Sequence, residues 1–229
     1  MRSGRLPAKT VKRIYIDAAK EIGADIPLVV ANDGDVTALA GAMSLNADSV
    51  LGIAMGTSEA AGFVDREGNI TGWLNELAFA PVDLAENAMV DEWSGDIGCG
   101  VKYFSQDGVI KLAPAAGIDL SAAETPAEKL KIVQGLMADG DGNAAKIYET
   151  IGAYLGYALK LYSLFYDLKE VLLLGRVVSG KGGDILLETA KQVLAAEYPD
   201  LKINLSLPTE KTRRVGQSVA AASLAEIRR

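Results

Sequence analysis

At 229 residues and a formal net charge of −7, the chain could form one large domain or two small ones. The negative charge argues against non-specific nucleic-acid binding and against attachment to an anionic membrane, and no apolar run approaches the ~20 residues that span a bilayer. The sequence contains no histidine and a single cysteine, Cys99. These counts exclude an intrachain disulfide, histidine-dependent nucleophiles and histidine metal sites. We therefore expect a cytoplasmic globular protein whose general base would be Asp, Glu, Lys or Tyr.

The first 46 residues predict a helix, a strand and a second helix. Apolar residues at helical spacing predict a helix over 9–23, and the run LVVA after Pro27 predicts a buried strand over 28–31. The segment NDGD follows at 32–35, ahead of an alanine-rich helix over 36–45. Polar residues between a buried strand and a helix are where α/β folds commonly place ligands. Two interpretations stay open: an aspartate here only caps the helix, or Asp35 caps it while Asp33 acts on a ligand.

The stretch around which the chain is organised is VLGIAMGTSEAAGFVD, residues 50–65. It predicts two strands, 50–55 and 60–64, joined by a tight turn, and a third strand at 69–71 would extend them into an antiparallel meander. The turn Gly56-Thr57-Ser58 has small side chains, which allow a nucleotide phosphate to approach the backbone. An ordinary hairpin with small turn residues is the alternative.

Residues 72–123 show little periodicity, which is typical of a functional insertion. Beyond them the pattern predicts a helix over 125–137, a turn at 139–142, a long helix over 143–167 and a strand over 170–175. A helix over 179–198, a strand over 201–207 and a closing helix over 214–227 complete the chain. The order from residue 50 onward is that of a ribonuclease-H-like α/β fold, a mixed sheet flanked by helices.

Six stretches, in order, resemble the ROK sugar kinases of the hexokinase and actin-like ATPase group. They are ANDGDVTALAG, MGTSEAAGFV, NELAFAPVD, GDIGCGVKYFS, VLLLGRVVSGKGGDILLE and RRVGQSVAAASLA. The resemblance implies a ribonuclease-H-like large lobe with a mixed five-stranded sheet over 47–210, carrying an insertion at 73–123. It also implies an incomplete small lobe over 1–46 and a C-terminal helix over 211–229 that packs towards that lobe.

The resemblance also implies roles for particular residues. Asp33 matches the base that takes a proton from a sugar hydroxyl, and Asn32 and Glu76 match residues that contact the sugar. The phosphate loop and the adenosine site correspond to Gly56, Thr57, Ser58, Gly175 and Arg176. The implied ligands are a sugar and ATP with Mg²⁺.

The sequence also departs from the family pattern. Of the one His and three Cys of the family's zinc module only Cys99 remains, with Phe79 in place of the His, so we expect no zinc. The family's second sugar-binding Glu is Val101 here. Other substitutions fall in the phosphate loop and the adenosine motif: Glu59, Ala60 and Ala61 in the first, Arg176 and Val177 in the second. A carboxylate beside phosphates repels them.

The family's first phosphate loop, of DxGGT type, has no counterpart ahead of Asp33. We therefore expect either a fragment of a longer protein or a chain that pairs with another polypeptide; related proteins commonly dimerise. Two functions follow. The first is an ATP-dependent sugar kinase, or the C-terminal part of one. The second is a non-catalytic sugar- or nucleotide-sensing protein with degenerate phosphate and adenosine motifs.

Overall fold

The computed structural model describes residues 8–23, 28–208 and 210–224. In these ranges it contains seven α-helices, four β-strands and two short 3₁₀ helices. The α-helices are α1 (Ala8–Ile22), α2 (Asp33–Leu45), α3 (Gln106–Leu112), α4 (Pro126–Asp139), α5 (Gly142–Tyr162), α6 (Lys181–Glu197) and α7 (Glu210–Ser223). The strands are β1 (Val50–Met55), β2 (Glu59–Val64), β3 (Glu170–Leu174) and β4 (Asn204–Ser206), and the 3₁₀ helices are Leu77–Phe79 and Gly100–Lys102.

The four strands form one mixed sheet in the order β2-β1-β3-β4. Strands β1 and β2 are antiparallel, with Val50 opposite Val64, whereas β1, β3 and β4 run parallel. The predicted ribonuclease-H-like class with a mixed sheet is confirmed, but the described sheet has four strands and not five. The predicted third strand of the meander is reduced to a single bridge between Val64 and Ile70. The chain turns away soon afterwards at Gly72, whose φ is +68°.

The strand predicted at 28–31 is wrong. Residues 28–32 have no regular secondary structure, and Leu28, Val29 and Val30 are exposed. A strand needs a neighbour to accept and donate its backbone hydrogen bonds, and none of the four described strands runs beside this segment. The apolar run alone could not supply that information.

Helices cover both faces of the sheet. On one face α5 and α6 pack against the apolar side chains of β1 and β3, forming the main core. On the other face α2 lies against β1 and β2, and α7 packs against α2. The close approach of α2 needs small residues: a Cβ at Gly52 would lie 3.0 Å from the Cα of Ala38. Helix α2 therefore belongs to the sheet layers, and the predicted boundary between lobes at residue 46 stays a prediction.

The segment 72–123 is not wholly irregular, because α3 and both 3₁₀ helices lie within it. It is tied to the core through Asp83, whose Oδ2 accepts hydrogen bonds from the hydroxyls of Tyr103 (2.6 Å) and Tyr154 (2.9 Å). Tyr154 belongs to α5, so this bond attaches the segment to the main helix layer. No helix in the described ranges is both long and apolar enough to cross a membrane.

Candidate functional site

A cleft of about 480 Å³ lies where α2 begins beside the outer edge of β2. The sequence predicted Asn32, Asp33, Ser58 and Glu76 as site residues, and all four line this cleft although they come from three separate stretches. Asp35, Glu59, Trp73 and Asn75 also line the cleft. The sequence analysis treated Asp35 as a possible helix cap and Glu59 as a substitution in the phosphate loop, and it did not identify Trp73 or Asn75. Gly56 and Thr57 are not among the lining residues.

The start of α2 is fixed by Asn32 and by a close backbone contact. Asn32 is the N-cap, and its Oδ1 accepts the N–H of Gly34 at 2.8 Å; Oδ1 of Asp33 also accepts this N–H, at 2.9 Å. Added Cβ atoms at Gly34 and at Gly62 would each lie 2.2 Å from a backbone oxygen, that of Ala61 and that of Gly34 respectively. The backbones of α2 and β2 therefore touch, which places the exposed Asp33 side chain beside the edge of the sheet.

Asp35 is not the helix cap that the sequence suggested. It is buried, and its carboxylate accepts hydrogen bonds from Nδ2 of Asn75 (3.0 Å) and from the backbone N–H of Phe63. Tyr166 donates to the Oδ1 of the same Asn75 at 3.1 Å. Burial raises the pKa of Asp35, and the two hydrogen bonds partly oppose that shift. Asp35 thus holds the segment around Asn75 against α2 and gives the cleft its second wall.

Glu59, the first residue of β2, carries a buried carboxyl group. Its side chain is only 5% exposed, and within the described part of the chain neither carboxylate oxygen has a hydrogen-bond partner. Burial raises the pKa of Glu59 to about 8. Oε2 lies against the Cα of Gly100, where an added Cβ would be 2.4 Å away. The carboxyl group is therefore enclosed beneath the 3₁₀ helix at 100–102, which weakens the expectation that it repels phosphates from an exposed position.

The residues predicted to hold the nucleotide follow two neighbouring parallel strands. Gly56, Thr57 and Ser58 follow β1, and Gly175 follows β3 with φ +96°, its Cα packed against the carbonyl of Met55. The carboxyl ends of parallel neighbours lie at one edge of the sheet, so the two segments adjoin. The N–H of Gly56 donates to the carbonyl of Ser58 at 3.0 Å and is used within its own turn. The side chains of Thr57 and Ser58 are exposed.

Arg176 and Val177, the two substituted positions of the adenosine motif, differ in environment. Arg176 is exposed, and its carbonyl accepts a hydrogen bond from Nε2 of Gln134 at 2.7 Å. Val177 is fully buried in the main core, and its N–H donates to the carbonyl of Met55 at 3.1 Å. Val177 therefore fills the core and does not line a nucleotide site.

The described residues do not fit a metal site. No three Asp, Glu, Cys or His side chains in the described ranges lie together as ligands. The thiol of Cys99 is buried, and burial, with the nearby charge of Asp91, raises its pKa and favours the neutral form. Phe79 packs against Trp93, with 5.9 Å between ring centroids. This donor set does not suit zinc, and the described side chains supply no complete site for Mg²⁺ either.

The sheet order, the helices on both faces and the polar cleft at the strand edge define a ribonuclease-H-like α/β fold. This is the fold of ROK proteins, as the six sequence stretches predicted. A ROK family glucokinase from Streptomyces griseus, solved with glucose and AMPPNP, matches with a TM-score of 0.69 and 17% identity over 92% of this chain and 71% of that chain.

Two other solved structures match as well. A ROK hexokinase from Thermus thermophilus matches with a TM-score of 0.65 and 20% identity, over 89% of this chain and 68% of that chain. A ROK family transcriptional regulator, a homolog of the E. coli MLC protein, matches with a TM-score of 0.70 and 23% identity, over 92% of this chain and 55% of that chain. No protein-family model and no curated protein matches the sequence. At these identities the likeness establishes the fold, which kinases and a regulator share.

Proposed function

We propose that the cleft binds a sugar and that the protein is an ATP-dependent sugar kinase in which Asp33 is the general base. The observation that carries this proposal is the convergence of Asn32, Asp33 and Glu76 on one cleft. Similar solved structures support it, since one of them is a glucokinase in complex with glucose and AMPPNP.

The start of α2 gives Asp33 properties that suit a base. It is exposed to the cleft, and its Oδ1 accepts the backbone N–H of Gly34 at 2.9 Å, which holds the carboxyl group at the start of α2. An ionised carboxylate accepts a proton from a sugar hydroxyl within hydrogen-bond reach. The hydroxyl oxygen then attacks the γ-phosphorus of ATP, the bond to the β–γ bridging oxygen breaks, and ADP leaves while Asp33 holds the proton.

Asn32 and Glu76 would orient the sugar. The capping bond of Asn32 uses Oδ1, so Nδ2 is the group that this residue offers to a hydroxyl oxygen. Glu76 is exposed at the opposite wall and accepts hydroxyl hydrogens. ATP would enter with Mg²⁺ on its phosphates, which neutralises part of their charge, near the exposed side chains of Thr57, Ser58 and Arg176.

A second candidate is a sugar-sensing protein without catalysis. It is favoured by the use of the Gly56 N–H within its own turn, which leaves one donor fewer for a phosphate. The likeness to a transcriptional regulator points the same way. Sugar binding in the cleft is common to both candidates.

The test is the substitution Asp33→Asn in the full-length protein. Asn keeps the shape but cannot take the proton, so we expect turnover to fall by about 100- to 10,000-fold while the thermal shift given by sugar is retained. A coupled ADP-release assay with a panel of hexoses and acetylated amino sugars measures turnover. Asp184→Asn is the matched control, because Asp184 is also an exposed aspartate in the first turn of a helix but lies outside the cleft.

Three outcomes separate the candidates. Wild-type turnover in Asp33→Asn would remove Asp33 from the catalytic role. A wild type that phosphorylates no sugar but is stabilised by one supports the sensing protein. A protein that neither phosphorylates nor binds any sugar contradicts both candidates.

A further inference from the structure

Among the described residues that line the cleft, Trp73 is the one aromatic side chain. It lies in the same stretch as Glu76, and it is 55% exposed although an indole ring is large and mostly apolar. Leu74 beside it also lines the cleft and is exposed. An apolar surface next to a few polar side chains is typical of a small-molecule site. The exposed indole is therefore a candidate contact for a ligand.

Two neighbouring rings fix the position of the indole. The Phe63 ring lies 6.3 Å from the Trp73 ring between centroids, with 18° between the planes, and the Tyr166 ring lies at 5.8 Å. Phe63 is buried, so these rings support the indole from the protein side and leave its exposed part to the cleft. A ring that is already fixed loses little conformational entropy when a ligand packs against it.

The backbone of Trp73 is fixed as well. Its carbonyl accepts hydrogen bonds from the backbone N–H of Asn75 at 3.0 Å and from Nδ2 of the same residue at 3.2 Å. Asn75 is buried, its Nδ2 also donates to Asp35, and its Oδ1 accepts the hydroxyl of Tyr166. Asp35 belongs to α2, the helix that begins with Asp33. Buried hydrogen bonds therefore set the position of the indole relative to the proposed base.

A sugar ring needs two kinds of contact. The hydroxyl groups around its edge form hydrogen bonds, whereas the C–H groups on its faces form an apolar surface that packs against an aromatic ring. Asn32, Asp33 and Glu76 supply the hydrogen-bonding groups, and Trp73 supplies the aromatic surface in the same cleft. A volume of about 480 Å³ is within the range of small-molecule sites.

We propose that Trp73 is the platform against which the ring of the bound sugar packs. This inference rests on the proposed sugar-binding function and adds a binding residue to it. The C–H groups of the ring do not react, so the packing stabilises the ground state and the transition state alike. Trp73 therefore contributes to the affinity for the sugar and not to the chemical step.

A purely structural role of Trp73 would have a different signature. The indole packs against Phe63, so its removal costs stability whether or not a ligand binds. Thermal melts measure that loss, whereas the affinity of the folded protein for a sugar measures the platform. A structural role alone predicts a lower melting temperature with no change in affinity.

Tryptophan fluorescence gives the first test, because the chain has two tryptophans and Trp93 packs against Phe79, outside the residues that line the cleft. In the full-length variant Trp93→Phe the emission comes from Trp73, and in Trp73→Phe it comes from Trp93. Both variants are titrated with D-glucose, D-mannose, D-galactose and N-acetyl-D-glucosamine. We expect at least one of these sugars to change the emission of Trp93→Phe to saturation and to leave that of Trp73→Phe unchanged.

Calorimetric titration with the same sugar gives the second test. Trp73→Ala should weaken binding by about tenfold, and Trp73→Phe, which keeps a smaller ring, by about threefold or less. Trp93→Ala is the matched control, because it removes another exposed indole and should leave the affinity unchanged. If the protein phosphorylates the sugar, the loss in Trp73→Ala should appear as a rise in KM, with kcat within about twofold of the wild type.

The inference is overturned if a sugar binds without changing the emission of Trp73, or if folded Trp73→Ala binds it as tightly as the wild type does. An equal loss of affinity in Trp93→Ala and Trp73→Ala also overturns it. In each of these cases sugar binding by the protein would stand. If none of the four sugars binds, the proposed function falls together with this inference. If Trp73→Ala does not fold, the emission of Trp93→Phe decides the question.

Discussion

Lys102 is the side chain whose removal should most disturb the segment that encloses Glu59. Only 3% of its side chain is exposed, and its Nζ lies 2.6 Å from Glu92 Oε2, 2.9 Å from Asp107 Oδ2 and 3.3 Å from Asp91 Oδ1. Burial disfavours its charged form, but the hydrogen bonds that Lys102 donates to Glu92 and Asp107 outweigh burial, so the pKa of Lys102 is raised. The substitution Lys102→Met keeps the apolar stem and removes the charge.

The expected loss follows from the exposure of the three partners. The side chain of Asp91 is 11% exposed and would be left nearly buried without its cation. Removing one partner of a fully buried ion pair costs ~3–5 kcal/mol. The side chains of Asp107 and Glu92 are 37% and 70% exposed, so water compensates for most of the interaction that they lose with Lys102. We therefore expect Lys102→Met to lower the free energy of unfolding by about 3 kcal/mol, at the low end of that range.

Urea denaturation at pH 7 measures this loss, with Lys111→Met as the control. Lys111 contacts Glu92 at 2.7 Å in a pair whose glutamate side chain is 70% exposed, so its substitution should cost less than about 1 kcal/mol. The three carboxylates must be ionised for the cluster to stabilise the fold. The hydrogen bond from Lys102 is the main cause that lowers the pKa of Glu92 to about 2, and the pKa of Asp91 is lowered as well, chiefly by the backbone N–H of Ser94.

The pH dependence gives a second check. A carboxylate whose pKa is lowered by folding stabilises the protein above its unfolded pKa and loses that contribution as the pH falls through its folded pKa. The difference between wild type and Lys102→Met should therefore be full at pH 7 and shrink as the pH falls from 4.5 towards 2. Equal losses in the two lysine variants, or a difference that does not change down to pH 3, would refute the argument.

Two further predictions concern the strand edge. Gly62→Ala places a Cβ 2.2 Å from the carbonyl oxygen of Gly34, so we expect a loss of about 3 kcal/mol or more in thermal melts. Gly135→Ala, on α4 where a Cβ meets nothing within 4 Å, should instead stabilise by ~0.5–1 kcal/mol, and equal effects would contradict the contact. Folding raises the pKa of Glu59 from 4.5 to about 8. The contribution of this group to the free energy of unfolding therefore falls by up to about 1.4 kcal/mol per pH unit as the pH rises between those values. In urea denaturation at a series of pH values, the Glu59→Gln variant should not show that decline. Parallel curves of unfolding free energy against pH for the wild type and the variant would refute this prediction.

Elements with local signals were predictable from the sequence. Strands β1 and β2 are short, largely apolar runs joined by a tight turn, and α4 begins at a capping box in which Thr125 and Glu128 bond each other's backbone. Asp141 caps α5 through the N–H groups of Asn143 and Ala144, as its place after a turn allows. The third strand of the meander and the strand at 28–31 were wrong because strand formation depends on a partner elsewhere in the chain.

The candidate site was predictable only where a motif marked it. Asn32, Asp33 and Glu76 came from resemblance, and the structure brings them to one cleft. The hydrogen bond between Asp35 and Asn75 joins residues 40 positions apart, so no local sequence pattern predicts it. Glu59 belongs to β2, and a charged residue in a strand ordinarily predicts a solvent-exposed position. Its burial is set by the 3₁₀ helix at 100–102, more than 40 residues downstream, whose path depends on Lys102 and its carboxylates.

Two substitutions, Glu59 in the phosphate loop and Val177 in the adenosine motif, favour a sensing protein less strongly once their positions in the fold are considered. The carboxyl group of Glu59 lies under Gly100 and is neutral at pH 7 in the free protein, so it does not present a fixed negative charge to phosphates. Val177 occupies the core, which leaves Arg176 as the one altered adenosine position with an exposed side chain. An exposed guanidinium group can stack on a base or contact a phosphate, and both contacts favour a nucleotide. The occupied N–H of Gly56 is a local argument against catalysis, but it removes a single donor from a turn that still exposes two hydroxyl groups. These contacts are compatible with the kinase that we propose, and the ADP-release assay decides between it and the sensing protein.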